Sequence, residues 1–185
     1  RALRVAGLLY GSNTAEGSAV VIGPDGTATG QLFEVGAFAP LLKLTASGGR
    51  EVAGYEFGKD PVPPPTRAQR ETDKSLIEAA LKLCASKGIT GLHNMDGNVY
   101  QLELLSELEA EGRLTARVEI PLHFKNFDSP DRLQEASDMR SRFSGEMVWC
   151  NRIKMFMDGV IDSRTACMLK PFKDTGHIAQ PLFTA

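Results

Sequence analysis

The apolar positions change their spacing partway along the chain. Up to Pro65 they come in short runs broken by glycine and proline. Arg1 to Leu8 reads as the tail of a helix, ended near Gly11. Ala19-Val-Val-Ile-Gly23 predicts a strand, Pro24-Asp-Gly26 a turn, and Thr27 to Phe33 the returning strand of a hairpin. Val35 to Leu44 fits a short apolar helix interrupted by Pro40. Thr45 to Pro65, which ends Pro61-Val-Pro-Pro-Pro65, reads as a mobile loop with polyproline II character.

From Thr66 the pattern becomes alternating helix and strand. Leu76, Ile77, Ala80, Leu81 and Cys84 fall at helical spacing, with Thr66 or Asp73 as the cap and Gly88 as the stop. Ile89 to Asn94 predicts a strand. Asn98 caps a helix carrying Leu102, Leu105 and Leu108, ended by Gly112. Thr115 to Leu122 is the next strand. Ser129-Pro130 opens a helix running to Phe143, and Met147 to Met157 is a further strand. Strands separated by helices predict an α/β fold with a parallel sheet. Spacing alone does not separate an open doubly wound sheet from a barrel. Two regions are expected: 1–65, with hairpin, short helix and Pro-rich loop, and 66–185, with the βα repeats.

One residue breaks the pattern. Ile153 to Met157 reads as a buried strand, and period-two alternation puts Ile153, Met155 and Met157 on one face, and Lys154, Phe156 and Asp158 on the other. An ammonium inside a strand must be paired, neutralised or chemically altered. Either Lys154 pairs with a carboxylate such as Asp158, or it faces a reaction centre. There it would act as a Schiff-base amine, or as a carbamate that ligates metal.

Composition narrows the classes. The 185 residues carry a formal net charge of -2 and are 42% hydrophobic. That suits one globular domain and gives no electrostatic case for nucleic acid or an anionic membrane. No long apolar span or signal peptide is visible, so a cytoplasmic protein is expected. No Gly-x-Gly-x-x-Gly or Walker lysine points to a nucleotide. Cys84, Cys150 and Cys167 lack metal-type spacing and read as small, mostly buried hydrophobes.

Lys154-Met-Phe-Met-Asp-Gly159, Ser163-Arg-Thr-Ala166 and Leu169-Lys-Pro171 together resemble a signature of the amidohydrolase superfamily. The resemblance is strongest to the branch with N-substituted formamide deformylases and proteins labelled exoenzyme regulatory proteins. Ala2 to Leu8, Gly26 to Glu34 and Gly88 to Met95 follow in that family's order, so the likeness covers nearly the whole chain. Phe172 stands where the family has tyrosine, and Asn94 where it often has aspartate.

The resemblance implies part of a (β/α)8 TIM barrel, about strands two to four, preceded by an insertion. It implies a metal-dependent hydrolase of an amide-type C–N bond in a small-molecule substrate. Lys154 is then the carbamylated ligand of one or two divalent ions, zinc in the first place. Asp158, Arg164 and His93 are the catalytic candidates. Arg164 holds either a substrate carboxylate or carbonyl, or clamps the loop through Asp162 or Asp158. His93, like His123, stands at a strand end, where barrels keep their chemistry. His177 lies in an irregular tail, and Glu34 reads as structural or as a cleft residue. The expected chain is an internal piece of a larger enzyme, inactive alone and able to self-associate. The rival readings are a Schiff-base lyase or aldolase using Lys154, and a regulatory barrel without catalysis.

Overall fold

The computed structural model describes residues 1–14 and 17–183. The chain forms two compact units. One comprises Arg1–Thr45 with the stretch from Phe156 onward, and the other Ala46–Met155. These cuts lie elsewhere than the change of pattern at residue 65, because spatial contact and sequence period measure different things.

In the first unit a short helix α1 (Ala2–Val5) precedes strands β1 (Ala19–Ile22) and β2 (Ala28–Phe33) and helix α2 (Glu34–Leu42). The strands pair antiparallel, Ala19 opposite Phe33 and Ile22 opposite Ala28. The turn is built by local chemistry: Asp25 Oδ1 accepts from the Thr27 amide at 2.9 Å, and Gly26 supplies a φ of 76°. Pro40 sits inside α2.

The second unit holds α3 (Val52–Phe57), α4 (Arg67–Ser86), β3 (Gly91–His93), α5 (Val99–Ala110), β4 (Arg117–Glu119), β5 (Leu122–His123), α6 (Leu133–Arg142), β6 (Val148–Trp149) and β7 (Ile153–Lys154). Thr66 caps α4 in a full capping box with Gln69. Asp73, the other capping candidate, is instead buried mid-helix, where it takes both ends of the Arg50 guanidinium and the Tyr100 hydroxyl. Asn98 caps α5 by accepting from the Gln101 amide.

Strands β3, β4 and β6 form one parallel sheet in that order, and β5 pairs parallel with β7. Among the described residues the strands do not close into a barrel. The helices bury one side of the strands: Leu81, Leu102, Leu105, Met139 and Phe143 pack with Val118, Ile120, Leu122, Val148 and Cys150.

Each of the two long predicted strands is broken into two short ones. The amides of Val118, Ile120, Leu122 and Phe124 donate to the carbonyls of Met147, Trp149, Arg152 and Lys154. The acceptor advances by two residues, then three, then two, so the later strand carries one extra residue opposite Pro121. A one-residue bulge reverses which face every later side chain occupies. Without it, strict alternation from Val148 and Cys150 would turn Lys154 toward the helices. With it, Lys154 aligns with His123.

Two expectations need correction. Ile153 to Met157 is not a buried strand: Ile153, Met155 and Met157 are 46%, 41% and 54% exposed, and regular pairing stops at Lys154. The Thr45–Pro65 stretch is not all loop, because it contains α3. Glycines let α3 approach the strand ends. A Cβ on Gly54 would lie 2.6 Å from the Asp96 carbonyl, and one on Gly58 2.3 Å from the His123 carbonyl. Of the cysteines, Cys150 is buried, Cys84 half-buried and Cys167 exposed.

Candidate functional site

Residues paired in register share a face of a sheet. Leu92 pairs with Val118, on the helix-covered side. One residue further on, His93 pairs with Glu119, on the opposite side. His123 follows Glu119 by four residues on the same run and pairs with Lys154. The face turned away from the helices therefore carries His93, Glu119, His123 and Lys154 at the carboxyl ends of parallel strands.

Glu119 is 2% exposed. Its Oε2 lies 3.3 Å from His93 Nδ1, and its Oε1 lies 3.4 Å from Arg152 Nε. Arg152 Nη1 also stands 3.2 Å from His93 Nδ1. His123 is 1% exposed, with Nδ1 3.8 Å from Asp96 Oδ1. Burial pushes the His123 imidazole down to about 4, helped by the charges of Lys125 and Lys154 and opposed by a hydrogen bond with the Gly54 backbone. At neutral pH it is a neutral ring. Burial likewise brings the Lys125 ammonium down to about 8, with Asp96 opposing the shift and Lys154 adding to it. Lys125 Nζ donates to the Tyr55 carbonyl at 2.6 Å, so α3 covers this end of the strands.

Asn94 serves the turn rather than the face. Its side chain donates to Gln101 Oε1 at 2.7 Å and accepts from the Asp96 amide at 3.2 Å.

Asp158 and Arg164 lie in the first unit, on a loop after Met157. Asp158 Oδ2 accepts from the Cys167 amide at 2.8 Å and closes that loop. Inside it, Gly159 donates to the Thr165 carbonyl at 3.1 Å and Val160 to Thr165 Oγ1 at 3.0 Å. A Cβ on Gly159 would sit 2.0 Å from Thr165 Oγ1, so only glycine fits there. Arg164, at φ 60°, donates from Nε to Asp174 Oδ2 and from Nη1 to the Asp162 carbonyl, both at 2.8 Å. Its clamp partner is thus Asp174, whose carboxyl it holds below the usual range. Ser163 Oγ donates to Glu34 Oε1 at 2.9 Å, and Glu34 also has a φ of 60°. Two non-glycine residues in the left-handed region around one hydrogen-bonded loop mark a locally strained backbone. Lys154 and Asp158, read from the sequence as one cluster, belong to different units.

Sequence reasoning passed over Glu119 and Arg152. The signal for Glu119 was present: a carboxylate between Val118 and Ile120 on a strand is the same anomaly as Lys154. Its partner Arg152 could not be found from spacing, because the bulge that sets the strand's facing carries no clear sequence mark.

Among the described residues no group of three His, Cys, Asp or Glu side chains stands close enough to hold a metal ion. His123, paired in register with Lys154, is a neutral imidazole, and the Lys154 charge is felt at Lys125. These residues therefore do not make a complete ligand set for a divalent ion. No helix among the described residues is long and apolar enough to cross a membrane.

The model of the Amidohydrolase family matches residues 1–185. The Bacillus subtilis (strain 168) protein YtcJ, which carries the name of an amidohydrolase, is 28% identical over 178 residues. The match covers 94% of this chain and 28% of YtcJ, so the chain spans just over a quarter of that relative's length. No solved structure matches the chain significantly. With a family model that matches from the first residue to the last, the chain belongs to the amidohydrolase family.

Proposed function

We propose that this chain forms part of the active site of a hydrolase that cleaves an amide-type C–N bond of a small molecule, with N-substituted formamides as the first candidates. The carrying observation is the register that sets Lys154 beside His123, on the face opposite the helices, at the carboxyl ends of parallel strands. Lys154 is the proposed carbamylated ligand of a divalent ion such as zinc. The described residues offer no closed ligand set, so such an ion takes its other ligands from elsewhere in the full-length protein. The ion would supply Lewis acidity at the scissile carbonyl.

The chain's own residues have separate parts in this reading. His123, buried and neutral, adds no positive charge beside Lys154. The Lys125 ammonium, brought down to about 8, holds a proton at Nζ that it releases more readily than an ordinary lysine. His93, at the half-open edge of the face, takes or gives a proton. Asp158 orders the loop through the Cys167 amide. Arg164, 42% exposed and paired with Asp174, can exchange that partner for a substrate carboxylate or carbonyl.

The test is turnover of a panel of N-formyl and N-acyl amides by the full-length protein and its Lys154→Ala variant. The reading expects amine release that the substitution abolishes. Borohydride capture of a carbonyl compound on Lys154, without amide hydrolysis, would replace it with Schiff-base chemistry.

A further inference from the structure

Glu119 has no part in the reaction as proposed, yet it is the most deeply buried carboxylate on the polar face, at 2% exposure. Burying an ionised carboxylate is unfavourable unless donors compensate it. Two groups are placed to do so: His93 Nδ1, 3.3 Å from Oε2, and Arg152 Nε, 3.4 Å from Oε1. Oε1 itself has no hydrogen bond among the described residues, so the contact at Oε2 matters the more.

His93 Nδ1 has a second neighbour, Arg152 Nη1, which as the side chains stand makes a hydrogen bond to it at 3.2 Å, while the 3.3 Å contact with Glu119 is an ion-pair distance. A guanidinium only donates, and a carboxylate only accepts. One ring nitrogen cannot serve both. If it accepts from Arg152, the ring proton sits on Nε2 and Glu119 loses the donor at Oε2. If it donates to Glu119, Nε2 is left with a lone pair. The difference in burial decides between them. The Arg152 side chain is 60% exposed and can turn to water, whereas Glu119 has no such recourse.

We propose that Glu119 is a positioning residue that fixes His93 as the Nδ1–H tautomer, so that Nε2 is presented on the polar face as a proton acceptor. The inference rests on the reading that the reaction occurs on this face, and it gives His93 a defined direction of proton transfer. Arg152 is the competing donor: it neutralises Glu119 through Nε without taking the ring proton's place. The 43% exposure of the His93 side chain leaves the ring open to a reacting molecule. Of the other charged groups of the face, Lys154 pairs in register with His123, and Asp96 Oδ1 lies 3.8 Å from His123 Nδ1.

The experiment is nitrogen NMR of the full chain labelled with 15N-histidine, at about pH 8, above the ordinary imidazole range. The chain has three histidines, and His93→Gln identifies the relevant pair of signals. The proposal expects a protonated Nδ1 and an unprotonated Nε2. Glu119→Met removes the acceptor and leaves Arg152 as donor, so the two nitrogens should exchange character. Arg152→Ala should preserve the original tautomer. A wild-type ring protonated at Nε2, a tautomer unchanged in Glu119→Met, or one reversed in Arg152→Ala would each overturn the assignment. Should Glu119→Met fail to fold, the wild-type and Arg152→Ala spectra still decide. None of these signals depends on turnover, so a failed substrate screen and a wrong tautomer remain distinguishable.

Discussion

Gly58→Ala tests how tightly α3 is seated on the strand ends. Gly58 closes α3 at a φ of 60°, and an added Cβ would lie 2.3 Å from the His123 carbonyl oxygen and 3.0 Å from its Cβ. The obstacle is mostly backbone, and it is anchored: Arg132 Nη1 donates to that carbonyl at 3.0 Å, and Arg132 Nη2 to the Gly58 carbonyl. The left-handed backbone costs alanine about 1 kcal/mol, and overpacking against a fixed neighbour adds about 1–3 kcal/mol, giving about 2–4 kcal/mol in all. Gly88→Ala is the control, with a φ of 75° and nothing within 4 Å of the new carbon, so it should lose only about 1 kcal/mol. Gly54→Ala meets the Asp96 carbonyl at 2.6 Å but regains helix propensity of about 1 kcal/mol, for a net loss of about 0–2 kcal/mol. Urea unfolding with unchanged m-values reads all three. If Gly58→Ala costs no more than Gly88→Ala, α3 does not sit against His123 and the covered end of the face is wrong.

Three other substitutions follow from the same geometry. His123 titrates at about 4 when folded and about 6.5 when unfolded, so its contribution is complete above about pH 6.5 and is lost as pH falls toward 4. Between about pH 7.5 and pH 5 that loss is about 2 kcal/mol, and His123→Gln should remove this part of the slope in urea unfolding at the two pH values; equal slopes would refute it. Asp73→Ala strands Arg50 and Tyr100 and should destabilise by about 3–5 kcal/mol by the same assay, against under about 1 kcal/mol if the trio is unimportant. Thr66→Ala removes the capping box of α4 and should lower stability by about 1 kcal/mol, with greater hydrogen exchange confined to its first turn.

The elements of the second unit were largely legible because each has a local cause. Thr66 and Asn98 cap their helices by their own side chains, and Gly88 stops α4 with a left-handed residue. The hairpin of the first unit was legible for the same reason, through Asp25 and Gly26. What the chain concealed is set by contacts distant in sequence. The bulge between β6 and β7 appears only against the partner strand, and it decides where Lys154 faces. Helix α3 is short, and its place depends on two glycines meeting the backbone at Asp96 and His123. The Asp158 loop was visible as a motif, but Arg164 meets Asp174 across ten residues of irregular chain. Among the candidate residues, His93 and Lys154 stood out as polar groups at strand ends. Glu119 obeys the same rule, as the last residue of β4 between the apolar Val118 and Ile120.

The most direct test of the central claim is the metal content of the full-length protein and of its Lys154→Ala variant, prepared with bicarbonate and zinc and measured by elemental analysis. One or two equivalents of divalent metal are expected in the first, and their loss in the second. A folded full-length protein that binds no metal under these conditions, or a variant that binds as much as the parent, would contradict it.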